Sequence, residues 1–234
     1  GDDAAAADFS LKSVVIGIVV ALISYFGKLC KPLLKVFVPP IFDTLRALAP
    51  KYDALVLATG ACPLFDTDED NDGVGLDRFV LAALELVVVV LEKGKLGRLF
   101  RAQLEQLAVL AVWYAHMTEE HVDVWSSDVD EYLTQDDDDM AAWDVRAASA
   151  HIAQLLVVLF GEAGVGAVLN AVAHFCERAH AEREARDPTW WKRKEAAMLQ
   201  LGKIAEELID MTRYADDEFD FDHLLHAAVL ADLD

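Results

Sequence analysis

Cysteine is scarce in this chain. The three present, Cys30, Cys62 and Cys176, are odd in number and widely spaced, so neither a disulfide framework nor a zinc site is suggested, and a reducing compartment is the default. Positive charge is also in short supply: 20 Lys and Arg against 41 Asp and Glu leave a formal net charge of −21. That imbalance excludes a general nucleic-acid binder, because a polyphosphate backbone is repelled by such a surface. No apolar run reaches the ~20 residues that a membrane span needs. Val14 to Phe26, between Lys12 and Lys28, stops at thirteen residues, and Phe79 to Leu91 is as short and contains Glu85. Both read as buried core helices, and no membrane insertion is expected. The chain opens on Gly1-Asp2-Asp3 without a basic leader and ends at Leu233-Asp234 just after an apolar segment, the pattern of a piece of something longer. No nucleophile, base and orienting acid come together along the sequence, so no enzyme and no cofactor is expected.

What the chain has in quantity is apolar side chains, 55% of the total, enough to bury a large core. Their spacing is helical. Leu104, Leu107, Ala111 and Tyr114 share one face; Ala148, Ile152, Leu155, Leu156 and Leu159 make a second stripe; Met198, Leu201, Ala205 and Leu208 make a third. Helix starts are marked by Thr118 before Glu119 and Glu120, by Asp187 before Pro188 and by Asp220 before Phe221. The valines between Leu86 and Leu91 favour a strand locally, but no partner strands with turn spacing appear, so the segment reads as helix.

The periodicity predicts helices over 9–27, 29–48, 76–92, 96–117, 141–160, 162–183, 189–211 and 221–231. They read as antiparallel pairs whose first members start near 29, 96, 162 and 221. Two pairs contain long polar inserts, 49–75 and 118–140; without them the first two spacings shrink to about 40 and 43 residues, inside the ~40 to 47 of HEAT repeats. Pro39 and Pro40 should kink or break the 29–48 helix. The expected fold is all-α, a HEAT/armadillo-like solenoid of three to four helix pairs forming one array over 1–234; a closed helical bundle is the alternative.

Candidate chemistry is thin. Asp68-Glu69-Asp70-Asn71-Asp72-Gly73 starts like a calcium loop, but position 12 falls on Phe79 instead of a bidentate Glu. Gly161, Gly164 and Gly166 lack the dinucleotide spacing and follow a helix, which makes them an interhelix turn. His174, Cys176 and His180 include a Cys/His pair on one helix face without further ligands. The informative feature is charge distribution. From Ala102 to Val145 there is no Lys or Arg, while twelve acids accumulate, four of them consecutive at Asp136, Asp137, Asp138 and Asp139. Such a run repels itself and should be a solvated loop. Trp113, Tyr114, Trp125, Tyr132 and Trp143 punctuate the same stretch, and aromatic rings beside acids can grip Lys and Arg of a basic partner.

Two stretches carry a family likeness. Tyr114-Ala115-His116-Met117-Thr118-Glu119-Glu120-His121, followed by Val124-Trp125 and the acidic run, resembles the middle of importin-9-type nuclear import receptors of the karyopherin-β family. Trp190-Trp191-Lys192, Glu195-Ala196, Met198-Leu199, Leu201-Gly202 and Leu230-Ala231-Asp232-Leu233 are similar to the same family in residues and spacing. The resemblance implies a HEAT superhelix that shuttles between cytoplasm and nucleus, meets nuclear pore proteins, binds basic cargo such as core histones and ribosomal proteins, and is regulated by Ran-GTP. It also implies a contact for Ran or cargo on the acidic loop, at Asp128, Asp130, Glu131, Asp136, Asp137, Asp138 and Asp139. Trp190 and Trp191 are expected to serve packing at a helix start. The other functional class left open is a HEAT scaffold without transport, with a calcium- or metal-dependent enzyme third.

Overall fold

The computed structural model describes residues 2–57, 75–127 and 143–214. These are helical almost throughout, with no strand among the described residues. In chain order they form α1 (Asp2–Leu57), α2 (Leu76–Glu92), a 3-10 segment (Gly97–Gln103) leading into α3 (Leu104–Trp113), α4 (Glu119–Ser127), α5 (Val145–Phe160), α6 (Glu162–Glu184), α7 (Trp190–Lys203) and α8 (Ala205–Tyr214). The arrangement is that of stacked pairs. α1 packs on α2, α3 on α5 and α6 on α7, while first members touch first members (α1 with α3, α3 with α6) and second touch second (α2 with α5, α5 with α7). This two-layer stacking defines a HEAT-type solenoid and sets aside the closed bundle.

The valine-rich helix α2 lies in the first pair, between α1 and α5. Leu84, Leu86, Val87, Val88, Val90 and Leu91 are all buried, so α2 is apolar nearly all round because α1 covers one side and α5 the other. Tertiary packing overrides the local strand preference of the valines. Two glycines permit the closest approaches. A side chain at Gly164 would collide with the Leu156 carbonyl where α6 crosses α5, and one at Gly97 would meet the Leu91 carbonyl at 2.9 Å. Gly161, with φ of 58°, makes the turn between α5 and α6 in a conformation that L side chains rarely adopt.

Several expectations are corrected. The expected division between 9–27 and 29–48 falls at a kink at Phe26 (φ −128°, ψ 31°), where two helices meet end to end, whereas the proline pair makes no break. Pro39 and Pro40 stay inside helical backbone because they and the residues four positions back, Lys35 and Val36, lie on the exposed side; water can satisfy the carbonyls that lose their amide partners. α1 continues to Leu57, so residues 49–57 of the expected polar insert are helical, and the calcium-like Asp68 to Gly73 stretch lies outside the described residues. The 96–117 helix is instead a 3-10 segment followed by α3, and 189–211 is divided at Ile204 (φ −108°, ψ 8°). Asp187 does not cap α7 with Pro188 as first helical residue: its carboxylate accepts from Thr189 N and Oγ1 at 2.8 and 2.7 Å, and the helix starts at Trp190. The expected helix over 221–231 lies outside the described residues.

The first apolar run also departs from expectation. Phe79 to Leu91 is a core helix, but in Val14 to Phe26 only Ile16 and Ile23 are buried, while Val14, Val15, Ile18, Leu22, Tyr25 and Phe26 are exposed. The buried positions Ile16, Ile23, Cys30 and Leu34 form a narrow stripe at seven- and four-residue steps along the α2 side. Among the described residues, nothing covers the faces that carry Val14, Ile18, Leu22 and Tyr25. Within α1, Phe9–Ala54 is long and apolar enough, by length and composition, to cross a membrane, with 17% of its most apolar window buried.

Candidate protein-interaction surface

The residues expected to bind a partner, Asp128, Asp130, Glu131, Asp136, Asp137, Asp138 and Asp139, all lie outside the described residues, as does Tyr132. The structure describes the two points from which that segment leaves and re-enters the solenoid: α4 on one side, Trp143 and Asp144 on the other. These points are joined. His121 Nε2 lies 2.9 Å from Asp144 Oδ2, so residues 23 positions apart close the stem of the acid-rich segment.

The join is built from helix-capping chemistry. Thr118 Oγ1 accepts the His121 amide at 3.3 Å, and His121 Nδ1 accepts the Thr118 amide at 3.2 Å. This is a capping box in which histidine replaces the usual glutamate. A ring nitrogen that accepts there leaves the proton on Nε2, aimed at Asp144. Asp144 Oδ1 in turn accepts from Ala147 N at 2.7 Å, capping α5. Burial alone would raise the Asp144 carboxyl, but the His121 and Ala147 hydrogen bonds and the charge of Arg146 outweigh it and hold its pKa below the ordinary value. One carboxylate thus caps a helix and closes the stem.

α4 is further held against α7. Lys192 Nζ pairs with Glu119 Oε1, and the Trp125 and Trp191 rings lie 6.2 Å apart. Beneath them, Arg146 donates to both carboxylate oxygens of Glu195 and to the Ala115 carbonyl. Gln200 donates to the Ala111 carbonyl at 3.0 Å. The two stretches that carry the family likeness, 114–125 and 190–201, are therefore contact partners in space.

A buried charged centre lies below this surface. Arg193 pairs with Asp53 Oδ2 at 2.8 Å and with Glu182 Oε2 at 2.6 Å, and His116 Nδ1 lies 3.0 Å from Asp53 Oδ1. Burial would raise Asp53; His116 and Arg193 reverse that and hold it below its ordinary value. For the wholly buried His116, burial drives the pKa down against the pull of Asp53, so the ring is neutral. The centre ties α1, the loop after α3, α6 and α7 together by charge, although Asp53 Oδ1, both His116 ring nitrogens and Arg193 Nη1 are buried without a well-formed hydrogen bond among the described residues.

The aromatic set divides. Tyr114 is wholly buried, donating to the Leu45 carbonyl at 2.7 Å, and Trp113 packs edge-on against Phe175 with Arg178 already over its face. Neither can grip a partner. Trp125 and Trp143, each 45% exposed, flank the acid-rich segment and keep rings open to solvent. Trp190 carries the Arg183 guanidinium over its face at 5.0 Å and Trp191 packs as described, in keeping with a packing role. His174 and His180 are exposed on α6, and no group of three or more potential metal ligands converges among the described residues.

Reading the sequence alone missed the stem. Its signals were present, however: a Thr-x-x-His spacing at a helix start, and Arg146 as the first cation after the base-free stretch, a position where a lone charge next to an apolar stripe is expected to have a partner.

Stacked helix pairs with a charged insert between the members of a pair define a HEAT-repeat protein. A family model for importin-9 central HEAT repeats matches residues 101–227, and the chain belongs to that family. It is also similar to importin-9 of Drosophila melanogaster, 24% identical over 197 residues, covering 83% of this chain and 19% of the relative. The chain thus spans about a fifth of the length of that relative.

Proposed function

We propose that this chain is a segment of a nuclear import receptor that binds basic protein cargo, core histones or ribosomal proteins, Ran-GTP, or both, through the acidic segment between α4 and α5. The observation that carries the reading is the stem. Between His121 and Asp144, which lie 2.9 Å apart, the chain carries Asp and Glu but no Lys or Arg, so the acid-rich segment leaves and re-enters the helical array at one place. Cationic partners gain from such a field in association rate and specificity, and the gain weakens with salt. Trp125 and Trp143 offer exposed rings beside it for Lys and Arg side chains. Shuttling through nuclear pores, with contacts to pore proteins, is part of the same proposal and is supported by the likeness to importin-9. Fluorescence anisotropy of a labelled core histone dimer, and separately of Ran loaded with a non-hydrolysable GTP analogue, tests the reading at low and near-physiological salt. Saturable binding of either that weakens as salt rises is expected; no binding of either at low salt would contradict it for this segment.

A further inference from the structure

In a chain this acidic, one region is reversed in sign. Lys28, Lys31, Lys35 and Arg46 occur along α1 and Lys93, Lys95, Arg98 and Arg101 along the connection into α3, with Asp43 the one acid in the two stretches 28–46 and 93–101. The stretches are adjacent: Lys93 Nζ donates to the Ser24 carbonyl at 3.3 Å, and further along they line a common cleft of about 420 Å³. Its floor is apolar, formed by Leu34, Phe42 and Phe100, all buried, and its rim carries Lys35, Arg46 and Gln106, all exposed. Asp43, also on the rim, pairs with Arg46 at 3.2 Å, so the unpaired rim charge is that of Lys35, and the remaining cations of the two stretches lie beyond the cleft lining. Lys28, Lys31, Lys35, Lys95, Arg98 and Arg101 have no ion pair among the described residues.

We propose that this cleft is a second binding site, for an acidic peptide segment of a partner protein that inserts one apolar side chain between α1 and the connection into α3. An apolar floor with a cationic rim is complementary to a ligand that pairs an apolar anchor with carboxylates, and the volume falls in the ~300 to 1,000 Å³ range of ligand sites. Local sign decides the matter despite the net charge, because exposed charges farther off than ~8 Å are screened at physiological ionic strength. The site is independent of the acidic segment: one face takes cationic partners, this one takes an anionic segment, and neither can serve the other's ligand.

A fluorescein-labelled peptide of glutamates flanking a single phenylalanine, titrated against the whole chain, tests this. Saturable binding is expected, with the glutamine-for-glutamate peptide and the alanine-for-phenylalanine peptide each weaker by about tenfold or more. The rim variant K35E/R46E should weaken binding by about tenfold or more at unchanged helicity, and Gln106→Trp, which fills the cleft from its exposed edge, should block it without altering charge. Equal affinity for the glutamate and glutamine peptides, no binding at low salt, or indifference to both variants would overturn the proposal. Binding of phosphatidylserine vesicles through Lys35 and Arg46 with no peptide bound would overturn it in favour of a lipid surface.

Discussion

Arg146 grips Glu195 with both terminal nitrogens, Nη1 at 2.8 Å and Nη2 at 2.5 Å, and the same Nη1 reaches the Ala115 carbonyl at 2.6 Å. One guanidinium therefore fastens the start of α5 to α7 and to the loop before α4. Arg146 is buried and Glu195 keeps partial contact with water, so removing the cation leaves a carboxylate only partly desolvated. Arg146→Ala should destabilise the chain by about 2 to 3 kcal/mol, below the full cost of orphaning a buried charge. Urea denaturation followed by circular dichroism measures it, and a loss under about 0.5 kcal/mol would show that the pair contributes little.

The His121–Asp144 closure predicts a local effect. His121→Ala removes both the return half of the capping box and the bond across the stem, at a cost of about 1 kcal/mol. Amide hydrogen exchange should quicken in 118–127 and at the start of α5 while the α2 core stays protected. Uniform exchange over the array would instead mean that the stem is no separate unit.

Two glycines of α6 should respond with opposite signs. At Gly164 an added methyl meets the Leu156 backbone, which cannot move aside, so Gly164→Ala should cost about 2 kcal/mol or more. At Gly166 nothing lies within 4 Å, and Gly166→Ala should stabilise by about 0.5 to 1 kcal/mol through helix propensity. Thermal melts of the two variants side by side check both signs.

The buried centre predicts acid sensitivity. The folded chain holds His116 neutral, its pKa driven below the ordinary 6.5 by burial. The unfolded chain takes up that proton as pH falls through 6.5 and the folded chain does not, so the stabilising contribution is present above 6.5 and is lost as pH falls toward the folded pKa. Asp53, which His116 and Arg193 hold below the ordinary 3.8 despite its burial, contributes with the same sign: the stabilisation is present above 3.8 and lost as pH falls through its folded value. Tm should therefore decline between about pH 7 and pH 5, and His116→Gln should flatten that decline even if it lowers Tm throughout. An undiminished decline in the variant would assign the effect to other groups.

How much of this was legible beforehand depends on what each feature rests on. The helix over 76–92 and the turn at Gly161 were readable because periodicity and glycine chemistry are local. The persistence of helix through Pro39 and Pro40 was not, since whether they break a helix depends on whether solvent reaches the carbonyls of Lys35 and Val36, which only the packing decides. The exposure of Val14, Ile18 and Leu22 was misread for a related reason: hydropathy gives the tendency to be covered but not the neighbour that does the covering. Of the candidate surface, the acid-rich stretch could be seen in composition, whereas the His121 to Asp144 stem and the Asp53–Arg193 centre join residues 23 and 140 positions apart, a relation that exists only in the fold.

On the proposed reading, the acidic segment carries the affinity for cationic partners. The most direct measurement compares the chain with its Asp136→Ser, Asp137→Ser, Asp138→Ser, Asp139→Ser variant in histone-dimer binding across a salt series. Helicity should be unchanged, because the His121 and Asp144 stem is untouched, while affinity at low salt falls and the dependence of log Kd on log salt becomes shallower. Equal affinity at low salt with the same salt slope would contradict the claim.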